Sequence, residues 1–367
     1  MFPVDPNSLY VRSEALRAFM EDVFRTLGVP EGDARIGADV LLEADLRGID
    51  SHGSGRLWIY VDRLKAGKQP SITTVTTVTE DPGTALLDGG SGLGHVVAVK
   101  AMEVALRKAK ETGIAGIAVR NSSHFGFAGY YPLMAIEQGM VGMAFTNARP
   151  SICPTFGSEP MLGTNPIAFG APTDVEFPFL FDAATSIIQR GAVELYDRLG
   201  MDLPEGLVID PEGKSLSDPA AVLKSMVEGS AALLPLGGLG EATGGYKGYG
   251  LAAMVEILSA AFQNGPYLRQ VTGVGMGHFF IVIDVSRFLP LPIFKSVAGN
   301  ILRDLQGSRK IPGESRIYVA GEKEYDTRKE RLERGVPLSR ETLMQLDAMA
   351  EDLGVSPLDR SGKERRS

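Results

Sequence analysis

Residues 116–139 read GIAVRNSSHFGFAGYYPLMAIEQG, the pattern of a short strand, a polar loop and a helix. The apolar run Gly116 to Arg120 has the length of a buried strand. Tyr131 to Gln138 is typical of a helix, which Gly139 ends. Val141 to Phe145 then resumes a strand pattern. This strand–helix–strand order predicts an α/β domain.

The segments on both sides extend this pattern with more strands near the centre and more helices near the ends. The predicted helices are Glu14–Leu27 with Ser13 as its cap, a helix opened by Asp33, Ser51–Gly67, Gly94–Lys110, Ser186–Leu199, Tyr249–Phe262, Phe294–Leu305 and Arg340–Leu353, and the further strands are Ile72–Val78, Pro178–Phe181 and His278–Asp284. We therefore expect a helical domain of residues 1–72 and 290–367 around an α/β domain of residues 73–289. The last residues, 359–367, are polar and are expected to fray.

Composition excludes several classes of partner. The chain has 367 residues, a formal net charge of −8 and a single cysteine. An acidic surface argues against nucleic acid and anionic membranes as the main partners. One cysteine allows neither an intrachain disulfide nor a cysteine-based zinc site. No apolar stretch approaches the roughly 18 residues that span a bilayer, and no secretory signal is evident, so a cytoplasmic protein is expected.

The segment Ser51-His52-Gly53-Ser54-Gly55-Arg56-Leu57-Trp58-Ile59-Tyr60 is the first candidate site. If a helix begins here, His52, Arg56 and Tyr60 lie at i, i+4 and i+8 on one face. Arginine can grip a carboxylate with two hydrogen bonds, and histidine can exchange a proton near neutral pH. These residue types suit a small carboxylate substrate. The alternative is an ordinary solvated helix face.

The loop Arg120 to Gly129, which contains His124, is the second candidate site. It follows a buried strand and precedes a helix, where α/β proteins place ligand sites. A structural histidine in a capping loop is the alternative interpretation.

Two further stretches could hold an anionic cofactor. Phe181 to Ser186 leads from a strand into a predicted helix, whose first N–H groups suit a phosphate, although Thr185 or Ser186 could simply cap it. Asp182 could instead orient a catalytic histidine. Lys247 stands at the start of the next helix, the unfavourable end for a cation unless an anion joins it.

Other glycine-rich and histidine-containing patterns do not fit known motifs. Neither Gly90-Ser91-Gly92-Leu93-Gly94-His95 nor Gly273-Val274-Gly275-Met276-Gly277 has the spacing of a dinucleotide fingerprint, so a Rossmann site is not supported. The segment around Lys247 is not a phosphate-binding loop of the Walker type. The histidines are too scattered to predict a metal site.

Five motifs in order resemble the malate/L-lactate dehydrogenase family, a non-Rossmann group that also holds ureidoglycolate, sulfolactate and diketogulonate enzymes and a cyclic imino acid reductase. The motifs are Leu46–Gly53, Asn121–Gly126, Leu162–Pro166, Asp182–Ser186 and Tyr246–Gly250. The resemblance runs from about residue 10 to about residue 350. It implies a mixed-sheet α/β fold with a helical domain built from both termini. It also implies NAD or NADP in an extended cleft and a homodimer whose active site lies near the subunit boundary.

The resemblance also implies roles for individual residues. His52 and His124 match the positions at which members of the family exchange the proton, and Ser51, Arg56 and Tyr60 match substrate-binding positions. The positions matching cofactor contacts are His124, Asn165, Asp182, Ala183, Ala184, Thr185, Ser186, Lys247, Gly313 and Glu314. Some members carry a lysine with a proposed proton role where this chain has Ala148 and Arg149, and neither residue can act as that acid. Ala183-Ala184 replaces the more usual Met-Ala, a change expected to be neutral.

We therefore predict an NAD(P)-dependent oxidoreductase that transfers a hydride between the cofactor and a small 2-hydroxy acid. His52 is the favoured proton donor, with Asp182 as its orienter, and His124 lines the pocket or shares the proton work. Related substrates such as ureidoglycolate, sulfolactate, diketogulonate or a cyclic imino acid are alternatives. A nucleotide-binding protein without catalysis is another. A serine hydrolase or lyase is disfavoured because adjacent Ser51 and His52 side chains on a helix point to different sides.

Overall fold

A computed structural model of the protein describes residues 7–360. The outer ends of the predicted helical domain and most of the predicted frayed segment, residues 1–6 and 361–367, lie outside the described residues. The helices are α1 Ser13–Thr26, α2 Glu31–Leu46, α3 Leu57–Lys65, α4 Gly94–Thr112, α5 Tyr130–Glu137, α6 Arg190–Leu199, α7 Pro219–Glu228, α8 Gly245–Glu256, α9 Leu291–Gly307, α10 Glu322–Arg334 and α11 Arg340–Leu353. The strands are β1 Leu9–Val11, β2 Thr76–Asp81, β3 Thr84–Asp88, β4 Ile114–Ser123, β5 Val141–Thr146, β6 Ile167–Ala171, β7 Phe179–Ala183, β8 Val208–Ile209, β9 Ala232–Leu233, β10 Val274–Ile283 and β11 Val336–Leu338.

A seven-stranded sheet in the order β2-β3-β4-β10-β5-β6-β7 forms the centre of the molecule. Only β3 and β4 run parallel, and the other neighbouring pairs are antiparallel, so the sheet is mixed. Residues of α4 and α5 pack on this sheet in one buried cluster that includes Met102, Tyr131 and Phe280. The predicted mixed-sheet α/β centre is confirmed.

The two ends of the chain meet in a second buried cluster. β1 pairs with β11, with Leu9 opposite Leu338, and α1 packs against α2 and α11. Phe24, Leu41 and Leu346 belong to the same core. A helical layer built from both ends is thus present, although α9 packs through Leu291 against the edge of the sheet instead. The predicted domain limits at residues 72 and 290 stay a prediction.

Several predicted boundaries differ from the structure. The third helix begins at Leu57, not near Ser51, because Gly53 is extended and two 3₁₀ turns, Asp50–His52 and Ser54–Arg56, precede the helix. α6 begins at Arg190 because Ile187 donates its N–H to the Leu234 carbonyl and keeps this segment extended. Arg12, rather than Ser13, occupies the N-cap position of α1. Among residues 7–360, no helix is both long and apolar enough to cross a membrane.

Candidate active site

His124 directly follows β4, and the backbone before it is tightly held. The Ser123 hydroxyl accepts hydrogen bonds from the Gly94 N–H at 2.9 Å and from Gln69 at 2.7 Å. A Cβ on Gly94 would lie 2.2 Å from the Ser123 carbonyl oxygen, so only glycine lets α4 approach this closely. The tightly packed end of β4 therefore fixes the backbone position from which the half-buried His124 side chain extends.

Tyr60 holds the ring of His124. The Tyr60 hydroxyl lies 2.7 Å from Nδ1 of His124, and the Tyr60 side chain is fully buried. The Gly126 N–H also points to Nδ1, at 3.4 Å. Because a backbone N–H can only donate, this contact favours the neutral tautomer that carries its proton on Nε2. Nε2 is then the atom left to face a substrate oxygen.

His52 stacks beside His124. The two ring centroids are 5.6 Å apart with an angle of 18° between the planes. Nδ1 of His52 lies 2.9 Å from the Ser51 hydroxyl. The two histidines that the sequence placed in separate motifs thus lie side by side, and each has its Nδ1 held by a neighbouring hydroxyl.

Arg56 lies next to this pair but not on a shared helical face. Its Nε donates to the Ser51 carbonyl at 2.7 Å, and Nη2 lies 3.8 Å from a carboxylate oxygen of Glu194. The predicted alignment of His52, Arg56 and Tyr60 along one helix is wrong, because α3 starts only after Arg56. The two 3₁₀ turns and the Tyr60–His124 contact bring the side chains together instead.

The local charges and burial keep both rings neutral near neutral pH. Burial and the Arg56 guanidinium lower the pKa of His52 to about 4. Burial holds the pKa of His124 well below its usual value, and a positive charge on the neighbouring His52 would lower it further. Burial also raises the pKa of the Tyr60 hydroxyl, so Tyr60 stays protonated. Neutral imidazoles of this kind can accept a proton from a substrate hydroxyl.

Asp182, at the end of β7, does not orient either histidine. Its Oδ2 accepts the Gly129 N–H at 2.7 Å, at the start of α5. The described residues include no hydrogen bond between Asp182 and His52, whose Nδ1 pairs with Ser51. Burial raises the pKa of Asp182 to about 6. The predicted orienting role for Asp182 is therefore corrected to a contact with the loop behind His124.

The segment that follows Asp182 provides polar groups for a cofactor. Thr185 donates its N–H to the Thr164 carbonyl at 2.9 Å, and its own carbonyl accepts the Leu236 N–H at 2.8 Å. The Ser186 hydroxyl is buried and has no hydrogen-bond partner among residues 7–360. Because a buried hydroxyl without a partner is costly, this group fits a bound polar ligand. Ala183 and Ala184 are half-buried beside it.

Lys247 lies in the first turn of α8, near the same segment. Gly248 of α8 packs directly on the backbone of Leu236, which is bonded to Thr185. Lys247 is exposed and forms no ion pair with any residue in the described range. A free cation beside open helix N–H groups suits a phosphate.

Asn165 and the Gly313–Glu314 turn are the other predicted cofactor positions. The Asn165 side chain is buried and fully engaged: Nδ2 donates to Glu256 at 2.7 Å and to the Ala252 carbonyl, and Oδ1 accepts the Ala148 N–H. The cofactor contact that the resemblance implies for Asn165 stays a prediction. Gly313 and Glu314 form an exposed turn between α9 and α10. Within the described part of the chain, that turn forms no hydrogen bond with the other predicted site residues.

Sequence reasoning missed two features of this region. His95 is fully buried, its ring lies 4.6 Å from that of Tyr60, and neither ring nitrogen has a partner among the described residues. Burial lowers its pKa to about 3. Glu256 is also buried, and it accepts hydrogen bonds from Asn165 and the Leu268 N–H. Neither residue belongs to a recognisable spacing, so no sequence signal could have found them.

A separate cavity of about 700 Å³ lies between α8 and the loop before β10. It is lined by apolar side chains such as Tyr249 and Ile257, together with Glu256. None of the predicted site residues lines it.

Within residues 7–360, no group of three or more histidine, cysteine, aspartate or glutamate side chains is placed to hold a metal ion.

Comparison with known proteins identifies the family. The family model described as malate/L-lactate dehydrogenase matches residues 11–347. Malate dehydrogenase of Pyrococcus horikoshii is 45% identical over 360 residues, which cover 97% of this chain and 98% of that protein. L-sulfolactate dehydrogenase of Methanocaldococcus jannaschii is 36% identical over 355 residues, covering 95% and 98%. The crystal structure of malate dehydrogenase from Entamoeba histolytica has a TM-score of 0.93 at 40% identity, covering 95% of this chain and 99% of that one.

These matches confirm the resemblance drawn from the five sequence motifs. They extend over nearly the whole chain, and the structural match includes the mixed sheet with its helices. On both counts this chain belongs to the malate/L-lactate dehydrogenase family.

Proposed function

We propose that this protein catalyses reversible hydride transfer between a nicotinamide dinucleotide and the α-carbon of a small 2-hydroxy acid. The observation that carries the proposal is the pair of stacked neutral histidines, with Tyr60 bonded to one ring and Arg56 beside the other. Malate and sulfolactate, which the names of two relatives contain, are both 2-hydroxy acids.

The histidines supply the proton chemistry of this reaction. When the hydroxy acid is oxidised, its O–H proton passes to Nε2 of His52, whose Nδ1–H can donate to the Ser51 hydroxyl, and in reduction the same nitrogen returns it. The Tyr60 hydroxyl can donate to Nδ1 of His124 or accept from it, so it can support either tautomer of the ring. Arg56 binds the carboxylate next to the reacting carbon through charge-assisted hydrogen bonds.

The residues after β7 and at the start of α8 fit the cofactor. The Ser186 hydroxyl and the cationic Lys247 would bind polar groups of the cofactor, together with the open N–H groups at the N-terminus of α8. When bound, the nicotinamide ring accepts or delivers the hydride. Ala183, Ala184 and Thr185 would line the same side of the nicotinamide dinucleotide.

Replacing each histidine separately tests the assignment of the proton. His52→Gln should bind NADH or NADPH normally. Turnover with a panel of 2-oxo acids should fall by roughly 10²- to 10⁴-fold in His52→Gln or His124→Gln, whichever removes the residue that transfers the proton. We assign that role first to His52 and second to His124. Unchanged turnover in both variants would contradict the mechanism. Wild-type protein that binds the cofactor but reduces none of the acids would favour the non-catalytic alternative.

We further propose a homodimer formed through the surface around the separate cavity. Ile257, Phe262 and Tyr267 are all more than half exposed there in the single chain. Exposed apolar patches of this kind commonly mark protein–protein contacts. Sedimentation of the wild type and of an Ile257→Glu variant tests this: the wild type should run as a dimer and the variant as a monomer.

A further inference from the structure

His278 is a fully buried histidine on β10 that takes no part in the proposed proton transfer. Its Nε2 lies 2.7 Å from the Ser122 hydroxyl, and its Nδ1 lies 2.8 Å from the Thr146 hydroxyl. Ser122 belongs to β4 and Thr146 to β5, the two strands on either side of β10. Each ring nitrogen thus ties β10 to a different neighbouring strand, and one of these strands leads directly to His124.

The surrounding groups fix the position of the proton on the His278 ring. The Thr146 hydroxyl donates its single proton to a carbonyl, that of Gly277 at 3.0 Å or that of Asn147 at 3.1 Å. Its oxygen is then left to accept a hydrogen bond from Nδ1–H of His278. Nε2 is therefore an acceptor, and the Ser122 hydroxyl donates to it. Burial lowers the pKa of His278 to about 3, which keeps the ring in this neutral form.

The same ring also contacts the chain on the far side of His124. The rings of His278 and Phe125 stack, with their centroids 4.6 Å apart and an angle of 15° between the planes. Phe125 is buried, and its carbonyl accepts a hydrogen bond from the Tyr131 hydroxyl. The imidazole therefore holds Ser122 by a hydrogen bond and Phe125 by stacking, and His124 lies between them in the chain.

The backbone of the sheet is irregular at this point. The register between β10 and β4 shifts on both sides of the Met276–Ser122 pair. Asn121, just before Ser122, has a φ of 52°, in the left-handed region that residues other than glycine rarely adopt. β-Bulges interrupt the hydrogen-bond ladder and re-aim nearby side chains. Side-chain contacts such as those of His278 therefore hold the segment that leads to His124 where the ladder does not.

We propose that His278 is a positioning residue, which holds the backbone on both sides of His124 and so fixes where its ring lies in the site. A shift of this backbone would alter the contact of His124 with Tyr60 and its stacking on His52. The effect on turnover rests on the proposed function, whereas the position of the ring can be measured without any reaction.

Nuclear magnetic resonance can measure this position because the chain has only four histidines. Labelling histidine Cε1 with carbon-13 should give one resonance for each ring, assigned by single replacements. Ser122→Ala removes the partner of Nε2 of His278, and Thr146→Val, the matched control, removes the partner of Nδ1. The Ser122→Ala change should shift or broaden the resonance of His124, whereas Thr146→Val should alter that of His278 alone.

Phe125→Leu is a second variant that removes the stacking contact and leaves both hydroxyl partners in place. It should alter the His124 resonance in the same way, and it keeps the test open if Ser122→Ala does not fold.

Kinetics and unfolding measure the consequence for the reaction. Ser122→Ala should lower kcat with 2-oxo acids by roughly 10- to 100-fold, because a small misplacement of a reacting group is costly. Thr146→Val should retain most of the wild-type kcat. Both variants lose one buried hydrogen bond, so urea unfolding should show similar losses of stability. A loss of kcat that merely follows the loss of stability in both variants would show a structural role only and overturn the inference.

The outcomes separate this inference from the proposed function. An unchanged His124 resonance in both Ser122→Ala and Phe125→Leu, or an equal change in Thr146→Val, would overturn the positioning role and leave the proposed reaction standing. Wild-type protein that reduces no 2-oxo acid would overturn the proposed reaction, while a selective change of the His124 resonance would still support the role of His278.

Discussion

The Tyr60 hydroxyl lies 2.7 Å from Nδ1 of His124, although the two residues are 64 positions apart. Tyr60 belongs to a helix of the terminal layer, and His124 follows a strand of the central sheet. The contact therefore joins the two parts of the fold at one of the two histidines proposed to handle the proton. A shift of the helical layer against the sheet would change the orientation of the His124 ring.

Tyr60→Phe should slow the reaction without preventing cofactor binding. The substitution keeps the buried ring but leaves Nδ1 of His124 without its hydroxyl partner. We expect kcat to fall by roughly 10- to 100-fold, because a misoriented base loses much of its contribution. Steady-state kinetics and NADH titration measure the two effects. Tyr10→Phe, on the distant strand β1, is the control, and an equal loss there would argue against a specific role.

Mild acid should destabilise the protein through its buried histidines. In the folded state His95 stays neutral until about pH 3 because burial lowers its pKa. In the unfolded chain the ring takes up a proton near pH 6.5, so the unfolded state binds more protons below that value. This contribution to stability is present above about pH 6.5 and is lost progressively as the pH falls toward about 3.

Urea unfolding measured between neutral pH and about pH 5 tests this linkage. His95 alone should contribute a slope of about 1 kcal/mol per pH unit below its unfolded pKa. His95→Gln should reduce the pH dependence by about that amount, even if it lowers stability at neutral pH. A variant with the same pH dependence as the wild type would show that His95 is already charged in the folded state.

Lys247→Gln should weaken cofactor binding and leave the chemistry intact. The exposed ammonium group lies at the N-terminal turn of α8, where it would pair with a phosphate. We expect the NADH dissociation constant to rise by roughly 10-fold at low salt and by less at high salt, because salt screens exposed charges. Fluorescence titration at two ionic strengths measures this change. Lys224→Gln, on the exposed surface of α7, should have no effect.

Asn165→Ala should chiefly reduce stability. It removes the donor 2.7 Å from the buried Glu256 side chain, and leaving a buried polar group without its hydrogen-bond partner costs about 1–3 kcal/mol. Urea unfolding should show a loss of this size, with a cofactor dissociation constant near that of the wild type. The reverse result, normal stability with weak cofactor binding, would support the cofactor contact that the family resemblance implies for Asn165.

The central strands and most helices could be predicted because their residues follow simple periodicities. β5 and α11 match the predicted segments within one residue, since each is a periodic run with clear ends. The start of α3 could not be predicted, because it depends on Asp45, whose carboxylate accepts the Ser54 N–H at 2.8 Å. A contact with a residue of the preceding helix overrides the local helical pattern in the 51–56 segment.

The site was recognisable from motifs, but its internal geometry was not. His52 and His124 were singled out, yet their stacking depends on where the 3₁₀ turns place one ring against a loop at a strand end. Asn165 lies within a recognised motif and serves the buried Glu256 instead, a partner 91 positions away. Tertiary packing therefore determines whether a polar residue of a motif faces a ligand or, like Asn165, bonds to a buried group of the fold.

The pairing of β1 with β11 has a consequence for biosynthesis. His52 and Tyr60 come from the first sixth of the chain, but the core beneath them includes Val336, Leu338 and Leu346. Since domains form as their residues leave the ribosome, the N-terminal helices must wait for these last segments before they can pack. Because β11 and α11 complete this core, we expect chains that stop before β11 to lack the packing that supports Tyr60.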